Sequence, residues 1–141
     1  MEKNYGIGLI RLFIAMLMFT AVSLNLSDCQ AAQWEWVLST DTETVELDTS
    51  SVQRIAFPNA GNNVVCIIRV TAKDNSSVIT KTALRIHNGN KESATMSCII
   101  YDGNGNLIGE DVSVDEPYNY EVINPGSMGD TLYNKVMQYV E

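Results

Sequence analysis

The apolar positions of this chain fall at strand spacing for most of its length and at helix spacing only near the C-terminus. Gln33–Leu38 alternates, with Trp34, Trp36 and Leu38 on one face, and Thr44–Asp48 alternates in the same way. Val64–Ala72 is almost unbroken apolar sequence, the pattern of a central strand covered on both faces. Val78–His87 is more polar and reads as a strand nearer an edge. Ala94–Tyr101, Leu107–Val114 and a short Tyr118–Ile123 segment complete the strand-like set.

Turn chemistry separates these runs. Pro58–Asn63 is one loop, His87-Asn88-Gly89-Asn90 a second and Asp102–Asn106 a third. The third joins two alternating runs and predicts a hairpin. Pro125-Gly126 then breaks the chain, and Ser127 stands three residues before Asp130, a capping box with Asp in place of the usual Glu or Gln. Beyond it Met128, Leu132, Val136, Tyr139 and Val140 form one stripe at helical spacing. Strands running together and then a single helix predict an α+β domain, with an antiparallel sheet and the helix stripe laid on one sheet face.

The N-terminus follows a different pattern. Lys3 and Arg11 precede Leu12–Leu26, about 15 mostly apolar residues. That is short of the roughly 20 a membrane-spanning helix needs, and it suits a signal-peptide core. Cys29-Gln30-Ala31 places small residues where a signal peptidase reads them, so residues 1–31 are expected to be removed and residues 32–141 to form the mature domain. Cleavage one residue later is the close alternative. A lipid anchor on Cys29 would want a small residue before it, and Asp28 stands there. The protein is expected to be secreted, or to lie in the periplasm or at the cell surface.

Charge narrows the partners. The 141-residue chain carries a net charge of −8, and the leader contributes nothing to it, because Lys3 and Arg11 balance Glu2 and Asp28. An acidic domain repels nucleic acid and anionic headgroups, so no nucleic-acid partner is expected, and membrane contact is expected only through the leader.

Candidate chemistry is sparse. His87 is the only histidine, and a Ser-His or Cys-His nucleophile would have to use it from a strand end. Asp102-Gly103-Asn104-Gly105-Asn106 opens like a calcium loop, but Leu107 stands where that loop needs Gly and Ser113 where it needs Glu, so it reads as a turn. Glu110, Asp111, Asp115 and Glu116 read as a solvated acidic face. Asp48 and Ser51 read as a strand end whose carboxylate takes the amides of a following turn. Trp34 and Trp36 read as one face of a core, with an exposed ligand platform as the alternative. Cys66 lies in step with Val64, Ile68 and Val70, and Cys98 with Ala94, Met96 and Ile100. If both strands flank Val78–His87, about 9.5 Å separates them. That exceeds the roughly 7 Å Cα reach of a disulfide, so both thiols are expected to be buried and unpaired, while export to an oxidising compartment pulls the other way and leaves their pairing open.

Trp34-x-Trp36-Val37 and the run Val45 to Arg54 (VELDTSSVQR) resemble the opening of the surface-adhesin protein E-like domain family. Tyr101-Asp102-x-x-Gly105-x-Leu107-Ile108 resembles that family's hairpin, and Asn124-Pro125-Gly126-Ser127 with Thr131-Leu132-Tyr133 and Val136 its C-terminal helix. The family's cysteine near the end of that helix has no counterpart after Cys98, and Tyr118 or Tyr120 stands where the family has Trp. The resemblance spans the mature chain. It implies a bacterial exported domain with an antiparallel sheet of about six strands and a C-terminal helix packed on one face. It also implies a role in adhesion, with host matrix or envelope proteins as partners. The expected function is therefore a non-catalytic binding module of the cell envelope. The alternative is a periplasmic enzyme inhibitor, for which Phe57–Asn63 is the candidate loop, or a small hydrolase accessory protein. No catalytic, cofactor or metal residues are assigned, and no motif marks a binding residue.

Overall fold

The structure, a computed structural model, describes residues 31–112 and 118–140. The expected leader with Cys29, and the segment 113–117 with Ser113, Asp115 and Glu116, lie outside them. The unit Ala32–Glu141 is an antiparallel meander: β1 (Trp34–Ser39), β2 (Glu43–Phe57), β3 (Gly61–Ala72), β4 (Ser77–His87), β5 (Asn90–Tyr101) and β6 (Leu107–Val112), each paired with the next. A two-residue strand β7 (Glu121–Val122) pairs with β5 at Glu92 and Ser93. Helix α1 (Met128–Val136) follows, extended by a 3₁₀ turn over Met137–Tyr139. This is the α+β class with an antiparallel sheet and C-terminal helix that the hydrophobic pattern predicts.

Local chemistry accounts for the turns. Asn88 and Gly89 have φ of 50° and 80°, the pair of left-handed residues a two-residue hairpin requires. In the β5–β6 turn, Asp102 Oδ1 accepts from the amides of Asn104 (2.9 Å) and Asn106 (2.8 Å). Its Oδ2 accepts from Asn106 Nδ2 (2.9 Å), so the carboxylate is spent on its own turn. Gly103 packs on the β3–β4 turn so closely that a Cβ there would collide with the Asp74 carbonyl oxygen. At α1, Ser127 Oγ accepts from the Asp130 amide (3.2 Å), and Asp130 Oδ2 accepts from the Gly126 amide (2.9 Å). The cap is reciprocal, as the Ser127–Asp130 spacing predicts, although the carboxylate reaches one residue further back than in a standard capping box.

The core has two parts, one on each sheet face. On the helix side Leu47, Val64, Cys66 and Leu84 pack under Leu132, Tyr133 and Val136, with Val37, Val45 and Ile123 at the margin. On the other side Val65, Ala83 and Met96 pack under Ile55, Phe57, Tyr118 and Tyr120. Phe57 and Tyr118 meet edge to face, with ring centroids 5.3 Å apart.

Bulges correct several readings made from simple alternation. The Thr44–Asp48 strand does not end at Asp48. The pairing of β2 with β3 skips from Asp48 to Gln53 and resumes, so one 15-residue strand runs to Phe57. Asp48 Oδ1 holds the irregularity by accepting from the Gln33 amide (2.9 Å), the Ser50 amide (3.1 Å) and Ser50 Oγ (2.6 Å). Ser51 Oγ donates to the Asp48 carbonyl (2.6 Å) and accepts from the Ile67 amide (2.7 Å), replacing the missing ladder bonds. In β1 a register shift between Trp36 and Leu38 turns Val37 inward, while Trp36 is 60% exposed. The two tryptophans and Leu38 therefore do not share a buried face. In β5 the register shifts across Met96, so Cys98 pairs with Thr80 on the helix side while Ala94 pairs with Ala83 on the other. One extra residue reverses every later side chain.

Strand β4 is central, between β3 and β5, and not near an edge. Its polar residues are accommodated by pairing: Arg85 Nε donates to Glu92 (2.7 Å) on β5. Because β3 and β5 both flank β4, Cys66 and Cys98 are separated by a strand and both are free, Cys66 buried and Cys98 half-buried. On α1, Met128 is 49% exposed and Tyr133 is buried, so Tyr133 replaces Met128 in the packed stripe.

Candidate functional site

Two features are open to a ligand: a groove beside the helix and the free edge of β6. The groove begins as a pocket of about 500 Å³ between the end of α1 and the ends of β2, β3 and β4. Val64, Leu84 and Tyr133, all buried, form its apolar base. Met137, Val140 and Ile86 line it as well, and Ile86 is 67% exposed, which puts it at the rim. Arg54, Asn62, Asn63 and Arg85 supply polar groups, and Arg85 is paired with Glu92. A second pocket of about 400 Å³ shares Arg54 and Val140 with the first and is otherwise lined by Val52, Gln53, Gln138 and Tyr139. The two adjoin and share Arg54: the first has Val64, Leu84 and Tyr133 at its base within a mixed polar and apolar lining, and the second includes Gln138 and Tyr139.

The helix that walls the groove is pinned at both ends. Lys91 Nζ donates to Asp130 (2.6 Å) and to Asn134 (2.8 Å). At the other end Glu35 on β1 accepts from both Lys135 and Tyr139. Those two hydrogen bonds hold the Glu35 carboxyl below its ordinary range, and the hydrogen bond to Glu35, with another to Tyr139, holds the Lys135 ammonium above its own. The Gly126 amide, with Lys91 beside it, lowers Asp130 likewise. Burial raises the Tyr133 hydroxyl.

Four cations of the described domain are in ion pairs: Arg69 with Glu46, Arg85 with Glu92, Lys91 with Asp130 and Lys135 with Glu35. Arg54, Lys73 and Lys81 have no ion pair among the described residues. Of these, Arg54 alone lines the groove. Lys81 lines a smaller pocket of about 240 Å³ with Ser50, Ser51, Gln53, Val65 and Ile67, against the opposite sheet face.

The free edge is built differently. Strand β6 pairs only with β5, and among the described residues its outer side has no partner strand. Leu107 is 56% and Ile108 64% exposed, and Glu110 and Asp111 follow them on the same short strand, both exposed. The opposite edge, β1, is tied to the helix through Glu35.

The residues singled out by sequence do not converge. His87 is exposed at the end of β4, in the tight hairpin with Asn90. Asp102 is satisfied within its own turn. Asp48 and Ser51 hold a bulge. Trp34 is half-buried with the Arg69 guanidinium 4.2 Å from its ring centre, and Trp36 bonds Ser39 (2.9 Å). No group of three or more His, Cys, Asp or Glu side chains is placed to hold a metal among the described residues. Several groove residues stand out in the sequence for other reasons, Asn62 and Asn63 in the Phe57–Asn63 loop and Val140 in the helix stripe, but the sequence pattern does not bring them together as a site. The even-numbered apolar residues of β3 and β4 (Val64, Leu84 and Ile86) were a usable signal for its base. Arg54 had none, since only the bulge brings it to this position. Compared with known proteins, the chain matches no family model, no curated protein and no solved structure.

Proposed function

We propose that this chain is an exported, non-catalytic binding module of the bacterial cell envelope, with adhesion to an external protein as its leading role. The observation that carries the proposal is the outer edge of β6, which has no partner strand among the described residues, with Leu107 and Ile108 exposed beside it. An exposed strand edge offers a row of backbone donors and acceptors to an extended segment of a partner, and the flanking apolar side chains add buried area. Glu110 and Asp111 favour a partner segment that carries lysine or arginine, in keeping with the net charge of −8. The basic-apolar-small order of residues 1–31 supports export, and the resemblance to the protein E-like domain supports adhesion to host matrix or envelope proteins.

Surface plasmon resonance over immobilised matrix proteins and isolated envelope fractions tests the reading. Saturable binding is expected, and it is expected to be lost in Ile108→Lys, an exposed substitution that leaves both cores intact. Binding that is indifferent to Ile108→Lys would remove β6 as the contact. No saturable binding, together with turnover of a peptidoglycan or peptide substrate that disappears in His87→Ala, would replace the binding module with an enzyme.

A further inference from the structure

We propose that the groove beside α1 is a binding site for a single-chain amphiphile: an acyl chain ending in an anionic group, carboxylate or phosphate, held on Arg54. This site is separate from the β6 edge and does not depend on it.

The buried apolar base of the groove and the position of Arg54 beside it carry the argument. The larger chamber, about 500 Å³, lies within the roughly 300–1,000 Å³ typical of small-molecule sites. Its base is the buried surface of Val64, Leu84 and Tyr133, a lining suited to hydrocarbon. Met137 forms part of the wall, and its unbranched thioether adapts to chains of different shape. The adjoining chamber, about 400 Å³, includes Gln138 and Tyr139, whose polar groups suit a hydrated head group. Arg54 borders both, where an amphiphile's charge would fall once its chain occupies the apolar side.

Electrostatics selects the sign of the head group. In a chain of net charge −8, four cations are already in ion pairs with carboxylates, the groove's Arg85 among them, whereas Arg54 has no ion pair among the described residues. A guanidinium presents a planar fork of donors that matches carboxylate or phosphate oxygens. Ile86 at the rim is 67% exposed on a strand that is otherwise central, and a bound chain would cover it.

Isothermal titration calorimetry tests this, using the chain as the expressing cell processes it and ligands kept below their micelle concentrations. Dodecanoate and dodecyl phosphate are the two anionic probes, and dodecyltrimethylammonium is the cationic control. Saturable binding of at least one anionic probe is expected, at least tenfold tighter than the control, and the preferred anion identifies the head group. Arg54→Gln, at an exposed position, is expected to weaken that binding at least tenfold. Ile86→Asp, also exposed, places a carboxylate at the rim and is expected to do the same, and circular dichroism verifies that both variants are folded. Equal binding of the cationic control, or an affinity unchanged in Arg54→Gln, overturns the proposal. Binding seen only to phosphatidylglycerol vesicles overturns it in favour of a membrane surface. Because Ile108→Lys leaves the groove intact, loss of edge binding and loss of amphiphile binding are read independently.

Discussion

The run Val64–Ile68 of β3 is unbroken apolar sequence and is unevenly buried in the fold. Val65 and Ile67 are two residues apart on one face, and Val65 is 1% exposed while Ile67 is only half-buried. On the other face Cys66 is fully buried and Ile68 is half-buried at the margin of the helix-side core. The difference lies in what covers them. Near Val65 the sheet is flanked by Phe57, Tyr118 and Tyr120 on one side and by α1 on the other. Toward the β3–β4 and β5–β6 turns, Ile79, Ile99, Ile100 and Tyr101 are half-buried and belong to neither cluster. An apolar strand creates the demand for a cover; a separate element must meet it.

The cysteines give the largest contrast between the sealed and the open half. Burial pushes the Cys66 thiol up to about 12 from an ordinary 9.0, which lowers its thiolate population about a thousandfold. Native-state alkylation with iodoacetamide, read by peptide mass spectrometry, is expected to label Cys98 and leave Cys66 unmodified until the chain is unfolded. Equal labelling of the two would mean that the helix-side core opens as readily as the bare sheet.

Truncation compares the halves energetically. Leu84 is 1% exposed beneath the helix, and Leu84→Ala is expected to cost about 2–5 kcal/mol in urea unfolding. Ile99→Ala in the open half is expected to cost about 1 kcal/mol, because only part of that side chain leaves water on folding. Similar losses for the two variants would show that the outer half of the sheet is covered in solution.

The smallest effect concerns the tether that closes the helix onto β1. The hydrogen bonds from Lys135 and Tyr139 depress the folded-state pKa of Glu35, so its contribution is present above the ordinary glutamate value of 4.5. That contribution falls as the pH drops through the lower folded value. Lys135 is raised, and its share is lost only at alkaline pH, as the solution passes the raised folded value. Wild type is therefore expected to exceed Glu35→Gln slightly in stability at neutral pH and to lose that advantage in acid. Denaturation of both proteins across the acid range checks this, and a gap that widens on acidification has the wrong sign.

Sequence alone determined the architecture, because strand and helix periods and turn residues are local properties. The Ser127–Asp130 cap, the Asn88-Gly89 hairpin and the Asp102 turn each form from atoms within a few residues of one another, so they were legible without a fold. Strand spacing leaves Cys66 and Cys98 free only once β3 and β5 are known to flank β4, which the tertiary structure supplies. Tertiary structure decided what depends on register. Bulges in β1, β2 and β5 turned Val37 inward, left Trp36 exposed, extended β2 past Asp48 and moved Cys98 to the face opposite Ala94. Each bulge is held or flanked by distant partners, such as the Ile67 amide on Ser51. The groove followed from the same cause. Arg54 reaches its position only because β2 resumes pairing after the bulge, and Val140 meets it from the far end of the chain. A period-2 pattern fixes which residues alternate, but a single inserted residue reverses the face of every residue after it. Only the paired strand fixes where that insertion falls.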